Sequence, residues 1–449
     1  MKKNLSGLGA QLKDKLIQQS LERRLRQAGQ AVAPASGTSA GAAHHAVAEQ
    51  FRRFDQHPGY QQFRILDEGR KQLGIADPFF KLHEGCASAH TQIAGKDLLN
   101  FASYNYLGLN GHPHVNAAAV AAIQNYGTSV SASRIVSGER PVHQRLEAGI
   151  AGIYDCDDAL VFVSGHATNV TTIGYLFGPR DLIVHDELVH NSVLQGIQLS
   201  GAKRLPFPHN DWAALDALLS RQRGEFERAL IVVEGIYSMD GDFPDLPRFI
   251  ELRDRHRCFL MVDEAHSLGV MGQRGHGIRE HFGLRGSEVD IWMGTLSKTL
   301  AGCGGYIAGQ QALIDNLKCF APGFLYSVGM SPPLAAASLA ALECLHAEPE
   351  RVARLQANGQ YFLERARAAR IDTGHSTGHA VVPTIVGSSV RATRLSAALL
   401  AEGINVQPIL YPAVPERSAR LRFFMCSEHS RDELDYAVEQ TARALATTR

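Results

Sequence analysis

Five short apolar runs, each followed at once by polar residues, constrain the fold of this chain more than any other feature of its sequence. The runs are residues 159–163, 182–184, 230–233, 258–262 and 291–293. Continuous apolar runs of this length are typical of strands buried on both faces of a parallel sheet. Helical patterns separate most of them, which predicts an α/β domain. Ligands of such sheets bind outside the carboxyl ends of the strands, so we expect the polar residues after the runs to share one site.

The last run leads into the glycine-rich sequence GTLSKTLAGCGGY at 294–306, which contains Lys298. A lysine on such tight backbone is partly shielded from water, and desolvation lowers its pKa and frees the amine to form a Schiff base. Thr295 and Ser297 beside it have hydroxyl groups suited to a phosphate. The combination suggests pyridoxal phosphate (PLP), although a lysine in a glycine-rich loop is, taken alone, as often a surface residue.

The run at 258–262 ends in the sequence DEAHS, which begins with Asp263. An acid at the end of a buried strand is costly unless it is paired. A carboxylate that keeps the PLP pyridine nitrogen protonated would be such a pair. Ala265 is small enough to lie against a ring, and His266 is in reach of its phenolic oxygen. The alternative interpretation is a helix-capping acid followed by a solvated histidine.

Three further strand ends repeat the pattern. The sequence SGHATN opens a helix after residues 159–163, and the amides of Gly165 and His166 are suited to an anion at a helix N-terminus. His190 in DELVHNS is a candidate to stack on the pyridine ring, or a helix histidine bonded to its own backbone. Ser238 in EGIYSMDGD adds a hydroxyl group at the same level of the sheet.

The chain resembles the α-oxoamine synthase family of fold-type I PLP enzymes. This family includes 8-amino-7-oxononanoate synthase, 2-amino-3-ketobutyrate CoA ligase, 5-aminolevulinate synthase and serine palmitoyltransferase. Besides the sequences above, FASYNYLGL at 101–109, YSVGMSPP at 326–333 and RLRFFMCSEH at 420–429 match in the family's order. The resemblance covers roughly residues 50–449. It implies an aspartate aminotransferase-like fold, with a large, mostly parallel-sheet domain and a smaller C-terminal α/β domain.

The resemblance also implies catalytic residues. Lys298 matches the Schiff-base lysine, and Asp263 matches the partner of the pyridine nitrogen. His190 matches the stacking histidine, and His266, which matches a residue near the phenolic oxygen, is also placed to polarise a thioester carbonyl.

The remaining implied contacts concern the cofactor and the substrate. Further cofactor contacts are Ser238, Ala265, Thr295, Gly165, His166 and, from a partner subunit's loop, Ser327. Substrate contacts are Asn105 and Arg422, whose planar fork suits the amino-acid carboxylate. The chain departs from the family at His166, where Phe or Tyr is usual, and at Leu410, where some members have arginine.

The composition bears on possible nucleic-acid, membrane and metal binding and on the cellular location. Lys plus Arg equals Asp plus Glu at 45 each, so no net field favours nucleic acid or a membrane. The seven cysteines are an odd number without C-x-x-C spacing, which favours reduced thiols and a cytoplasmic protein. Neither a signal sequence nor a membrane-spanning run is evident. The twenty histidines show no metal-ligand spacing, so we expect no metal site.

The expected organisation has four parts. Residues 1–48 form a basic amphipathic helix and a linker, 49–95 a helical segment, 96–335 the large PLP-binding domain and 336–449 the small C-terminal domain. An alanine-rich helix over 334–347 is expected to join the two domains. The amphipathic helix has three possible roles: packing on its own dimer, docking an acidic acyl carrier protein, and, less favoured, touching an anionic membrane.

The expected reaction is a decarboxylating condensation of serine, alanine or glycine with an acyl thioester, carried by CoA or an acyl carrier protein, that gives an α-amino ketone. The expected assembly is a homodimer. Two alternatives are another fold-type I PLP enzyme, such as an aminotransferase or aldolase, and a non-catalytic subunit partner. The second would normally have lost the lysine, which is present here.

Overall fold

The structure is a computed structural model that describes residues 48–448. The described residues fall into two units, which divide between residues 80 and 81. In the first unit, two 3₁₀ turns, Glu49–Arg52 and Phe54–Gln56, precede helix α1, Pro58–Gln72. The His57 side chain accepts from the Gly59 amide and so caps this helix. The amphipathic helix predicted within residues 1–48 lies outside the described residues.

The second unit alternates strands and helices along most of its length. Its strands are β1 His90–Ile93, β2 Lys96–Asn100, β3 Asp158–Phe162, β4 Leu182–Asp186, β5 Lys203–Phe207, β6 Ala229–Glu234, β7 Phe259–Asp263, β8 Ile291–Thr295, β9 Gly305–Gly309, β10 Val381–Ile385, β11 Ile404–Asn405, β12 Gln407–Ile409 and β13 Arg420–Phe424. Its helices are α2 Pro113–Tyr126, α3 Pro141–Tyr154, α4 Gly165–Leu176, α5 Asn191–Ser200, α6 Trp212–Gln222, α7 Leu246–His256, α8 Gly277–His281, α9 Gln311–Phe320, α10 Pro322–Leu325, α11 Pro332–Ala347, α12 Glu350–Ala368, α13 Ser389–Ala401 and α14 Arg431–Thr447.

The largest sheet has seven strands in the order β3-β9-β8-β7-β6-β4-β5. Strands β5, β4, β6, β7 and β8 pair in parallel, and β9 runs antiparallel to both β8 and β3. All strands except β9 therefore point the same way. The five apolar runs of the sequence are β3, β4, β6, β7 and β8, so their carboxyl ends lie along one edge, as predicted.

The two faces of this sheet contact different groups of helices. Side chains alternate between the faces, so Leu160 and Val161 on β3 belong to separate hydrophobic clusters. Helices α4, α5 and α9 contribute to one cluster, and α3, α6, α7 and α11 contribute to the other. Burial on both faces explains why the strands are continuously apolar.

A smaller C-terminal sheet, β10-β13-β12, is antiparallel and packs with α12 and α13, and α14 packs against these two helices. A third sheet, β1-β2-β11, joins the start of the second unit to this region. Strand β1 lies within residues 49–95, so that segment is helical only in its first part. Helix α11 matches the predicted alanine-rich helix. The division at 95 and 335 stays a prediction. Among the described helices, none is long and apolar enough to cross a membrane.

Candidate active site

A cavity of about 310 Å³ lies at the carboxyl edge of the seven-stranded sheet. The turns after β3, β4, β6, β7 and β8 all contribute to its walls, and β13 of the smaller sheet adds Arg422. Ten residues predicted from the sequence line it: Gly165, His166, His190, Ser238, Asp263, Ala265, His266, Thr295, Lys298 and Arg422. The parallel strands therefore bring together side chains separated by more than 250 positions.

Lys298 lies in the loop after β8, in the wall of this cavity. Burial lowers the pKa of its amine to about 8, although the acidic residues Asp263 and Glu234 act in the opposite direction. Its Nζ lies 5.5 Å from the centre of the Tyr104 ring. An amine with this pKa is partly unprotonated near neutral pH, as nucleophilic attack on a carbonyl requires.

Asp263 is the last residue of β7 and is 4% exposed. Its Oδ2 accepts from Asn169 Nδ2 at 2.9 Å, and its Oδ1 accepts from the Ala265 amide at 3.0 Å. Hydrogen bonds to both oxygens fix the rotation of this side chain. The structure thus holds a buried, oriented carboxyl group in the cavity wall.

His190 caps helix α5 from its N-terminal end. Its Nδ1 accepts from the Ser192 amide at 3.2 Å, and its own amide donates to Glu234 Oε1 at 2.6 Å. Burial lowers the pKa of the imidazole, which favours the neutral ring. The alternative that this histidine bonds its local backbone is therefore correct, and the ring nevertheless lines the cavity.

His266 is fixed by Tyr106, whose hydroxyl lies 2.6 Å from Nδ1. Burial is the main cause that holds the pKa of His266 well below its ordinary value, and Lys298 adds to it. Burial also raises the pKa of Tyr106, so this hydroxyl keeps its proton. With the hydroxyl donating to Nδ1, the proton of the neutral imidazole lies on Nε2, where it is available to an oxygen in the cavity.

Arg422 reaches the cavity from β13. Its Nη1 donates to the Ser238 carbonyl at 2.9 Å and its Nη2 to the Tyr104 hydroxyl at 3.3 Å. The guanidinium lies 4.6 Å from the centre of the Phe424 ring. Its buried Nε has no hydrogen-bond partner among the described residues. A buried donor of this kind favours an external acceptor, and a carboxylate suits the planar fork.

The N-terminus of α4 forms a close-packed turn against β8 and β9. A Cβ atom on Gly165 would lie 2.9 Å from Thr295 Oγ1, and one on Gly305 would lie 2.6 Å from the Gly165 Cα. Glycine is therefore required for this approach. Thr295 Oγ1 lies 2.9 Å from Ser297 Oγ. First-turn amides beside two hydroxyl groups form a site suited to a phosphate.

These features fit PLP. The glycine turn suits its phosphate, the Asp263 carboxylate its ring nitrogen and the Lys298 amine its aldehyde. The His190 ring and Ala265 also line this cavity.

Two predicted residues lie elsewhere. Asn105 lines a second cavity, where its side chain bonds the Ala87 carbonyl and the Asn110 amide. Ser327 lines a small pocket beside Arg134, so it does not reach the cofactor cavity of its own chain. Its predicted contact with a partner subunit's phosphate stays a prediction.

Sequence reasoning did not identify four residues of the site. Asn169 lies one helical turn after Gly165, a spacing that pointed to the same cavity. Glu234 ends β6 just as Asp263 ends β7. Tyr104 and Tyr106 flank Asn105 in the sequence FASYNYLGL, in which only Asn105 was predicted to contact the substrate. The sequence did not show that the two tyrosines would lie beside Lys298 and His266.

One group of metal-ligand residue types lies outside the cavity. The candidate ligand atoms of His112, Cys344 and Glu348 lie within 4.8 Å of one another. Their hydrogen-bonding groups already have partners: His112 Nδ1 accepts from the His114 amide, and Glu348 pairs with Arg351 at 2.7 Å. We assign no metal to this group.

A family model and two relatives of the same name match most of the chain. The family model for aminotransferase class I and II matches residues 96–440. An 8-amino-7-oxononanoate synthase from Symbiobacterium thermophilum is 39% identical over 375 residues, which cover 84% of this chain and 95% of that protein. The enzyme of the same name from Coprothermobacter proteolyticus is 38% identical over 351 residues, covering 78% and 88% respectively.

Solved structures with a similar fold support the same family relationship. The serine palmitoyltransferase of Sphingomonas wittichii has a TM-score of 0.83 at 26% identity and covers 87% of this chain and 98% of its own. The enzyme from S. paucimobilis, solved with a bound PLP–myriocin aldimine, has a TM-score of 0.82 at 27% identity and covers 86% and 98%. The predicted fold-type I architecture is confirmed.

Proposed function

This chain belongs to the aminotransferase class I and II family and, within it, to the α-oxoamine synthases, and we propose that the cavity around Lys298 is its active site. The chain is a PLP-dependent acyltransferase that condenses an amino acid with an acyl thioester and releases CO2, giving an α-amino ketone. The observation that carries the assignment of the site is the convergence of ten predicted residues from five strand ends and β13 on one cavity.

Each side chain has a task that its geometry supports. When bound, PLP supplies an electron sink for the negative charge that forms at the amino-acid Cα. Asp263 keeps the proton on the ring nitrogen, which that sink requires. Arg422 binds the amino-acid carboxylate through Nε and a terminal nitrogen. Lys298 removes the Cα proton, because its lowered pKa leaves a free amine near neutral pH.

His266 acts on the second substrate. Its Nε2–H donates to the thioester carbonyl oxygen and stabilises the negative charge that grows there as the new carbon–carbon bond forms. The neutral imidazole is the useful form, since it donates this bond without adding a positive charge beside Lys298 and Arg422. The Tyr106 hydroxyl lies 2.6 Å from Nδ1 and so fixes the rotation of the His266 ring.

The second cavity, of about 460 Å³, is the proposed entry for the acyl donor. It shares Tyr104, Ser297 and Lys298 with the cofactor cavity, so a chain lying in it reaches the reacting carbon. Its other described lining residues have polar or small side chains and include His83, Asn105 and Gln407. Large aliphatic side chains are lacking among them, so this wall suits a donor with hydrogen-bonding groups better than a long alkyl chain.

A product assay tests the proposed function. The PLP-loaded protein is incubated with glycine, alanine or serine and with alkyl or oxygenated acyl groups on CoA or an acyl carrier protein. Mass spectrometry should find an α-amino ketone, with CO2 in equal amount, for one of these pairs and none with the Lys298→Ala variant. A keto acid without CO2 would indicate an aminotransferase, carbon–carbon cleavage without a thioester an aldolase, and no turnover a non-catalytic partner.

The oligomeric state, the cellular location and the role of the N-terminal residues are also proposals. The homodimer rests on family membership and on Ser327, which lies on a loop outside its own chain's cofactor cavity. A fully active monomer in light scattering would contradict it.

A cytoplasmic location rests on the biosynthetic relatives and on the odd number of cysteines. Deletion of residues 1–45 tests the carrier-protein donor and the membrane contact. If these residues dock a carrier protein, the deletion should reduce turnover of the carrier-bound donor alone. If they contact a membrane, it should reduce liposome binding alone.

A further inference from the structure

Glu234 is a carboxyl group in the cavity wall that the proposed chemistry does not use. It is the last residue of β6, is 3% exposed and lies opposite Asp263 in the β6–β7 register. Both residues line the cofactor cavity. Two carboxyl groups therefore end neighbouring strands at the same buried place.

The two carboxyl groups have different surroundings. Asp263 accepts hydrogen bonds on both oxygens at 3.0 Å or less and has the cofactor nitrogen as its proposed partner. Glu234 accepts from the His190 amide through Oε1 at 2.6 Å, but its Oε2 lies 3.4 Å from the Ser238 amide. Within residues 48–448, Glu234 forms no ion pair with an arginine or a lysine.

The charged and titratable groups that face Glu234 come from several elements. Asp263 lies on β7, Lys298 in the loop after β8, His190 at the start of α5 and Tyr237 in the turn after β6. Burial raises the pKa of Glu234 well above its ordinary value, and the charge of Asp263 adds to this. Lys298 acts in the opposite direction, but two carboxylates in one buried site repel each other, which favours the protonated form of one of them.

We propose that Glu234 stays protonated in the working enzyme and acts as a positioning residue that holds the start of α5, and with it the His190 ring, without adding a second negative charge beside Asp263. The inference rests on the proposed role of the cavity. A neutral carboxyl group keeps the hydrogen bond to the His190 amide. It also leaves Asp263 as the one anion of the pair that governs the cofactor nitrogen.

The Glu234→Gln variant tests this, because its amide copies a protonated carboxyl group. The readout is the pH titration of cofactor absorbance in the holoenzyme, with Glu227→Gln, a surface change two residues before β6, as control. We expect the titration midpoint to move by less than about 0.3 units and kcat to stay within about threefold of wild type. Glu234→Ala should lower kcat by about tenfold or more and weaken the cofactor's circular dichroism, because His190 loses its support.

A midpoint lowered by about one unit in Glu234→Gln would overturn the inference, since it would show that a negative charge had been removed. Wild-type behaviour of Glu234→Ala would also overturn it. Wild-type protein that forms no absorbing complex with PLP would instead overturn the proposed function.

Infrared spectroscopy of the wild-type holoenzyme gives a measurement that needs no variant to fold. A protonated-carboxyl band that shifts with labelled glutamate should persist above about pH 8, where Glu264, whose pKa burial raises to about 7, has ionised. Absence of that band would overturn the inference.

Discussion

Asn169 donates from its side-chain Nδ2 to the Oδ2 of Asp263 over 2.9 Å, inside the core of the second unit. Helix α4, which follows β3, supplies the donor, and the end of β7 supplies the acceptor. The bond therefore links the segments at the ends of two strands of the site. The same Nδ2 also donates to Ser192 Oγ at 2.9 Å, next to His190. One amide group thus links the proposed partner of the cofactor nitrogen to the proposed stacking histidine.

Replacing Asn169 by alanine should lower kcat by about tenfold, because a lost hydrogen bond to a buried charged group costs about 1.5 kcal/mol or more. The KM for the thioester should change little, because Asn169 does not line the second cavity. Steady-state kinetics measure both constants. The exposed Asn116→Ala serves as control. An unchanged kcat would show that Asp263 needs no support from α4.

The Asp263→Asn variant should bind PLP yet lose at least about a hundredfold in the rate of Cα hydrogen exchange, because a neutral ring nitrogen is a poor electron sink. Exchange is followed by NMR in deuterated water without acyl donor, which isolates this step from condensation. A rate equal to that of the wild type would refute the role of Asp263.

Arg422→Lys should raise the KM of the amino acid by about 10–100-fold, since one point charge replaces a two-pronged contact worth about 1.5–3 kcal/mol. The KM of the thioester should stay within about twofold, and this comparison is the internal control. Tyr104→Phe removes the hydroxyl that accepts from Nη2 and should leave the amino-acid KM near that of the wild type. Equal increases in both KM values would contradict carboxylate binding by Arg422.

Cofactor capture should depend on pH through Lys298. Its amine is protonated and unreactive below its pKa, which burial lowers to about 8, so the rate of PLP capture by the apoenzyme should rise with pH and level off above that value. Stopped-flow absorbance measures the rate, and Lys298→Ala should show no capture phase. A midpoint near 10.5, the ordinary lysine value, would show that the amine is not desolvated.

The fold and much of the site could be predicted because buried parallel strands leave a clear pattern in the sequence. Burial on two faces makes β4, β6 and β7 continuously apolar, so their ends are visible as the first polar residue. That rule alone located Asp263 and the neighbourhood of His190. The helix after β3 begins with a glycine for the close approach to Thr295, and the sequence SGHATN shows this directly.

What could not be predicted depends on contacts between distant segments. Strand β9 is rich in glycine because β8 and α4 approach it closely, which hides its strand character in the sequence. The pairing of Tyr106 with His266 spans 160 positions and has no local pattern. Glu234 was hidden because its surroundings, rather than its residue type, distinguish it from the other acids at strand ends.

Borohydride reduction followed by peptide mass spectrometry tests most directly the proposal that Lys298 holds the cofactor in this cavity. The wild-type protein loaded with PLP should yield one modified peptide, with the reduced cofactor on Lys298, and Lys298→Ala should yield none while keeping its fold by circular dichroism. Cofactor fixed to another lysine of the wild type, or fixed equally to the variant, would contradict the assignment of this cavity as the active site.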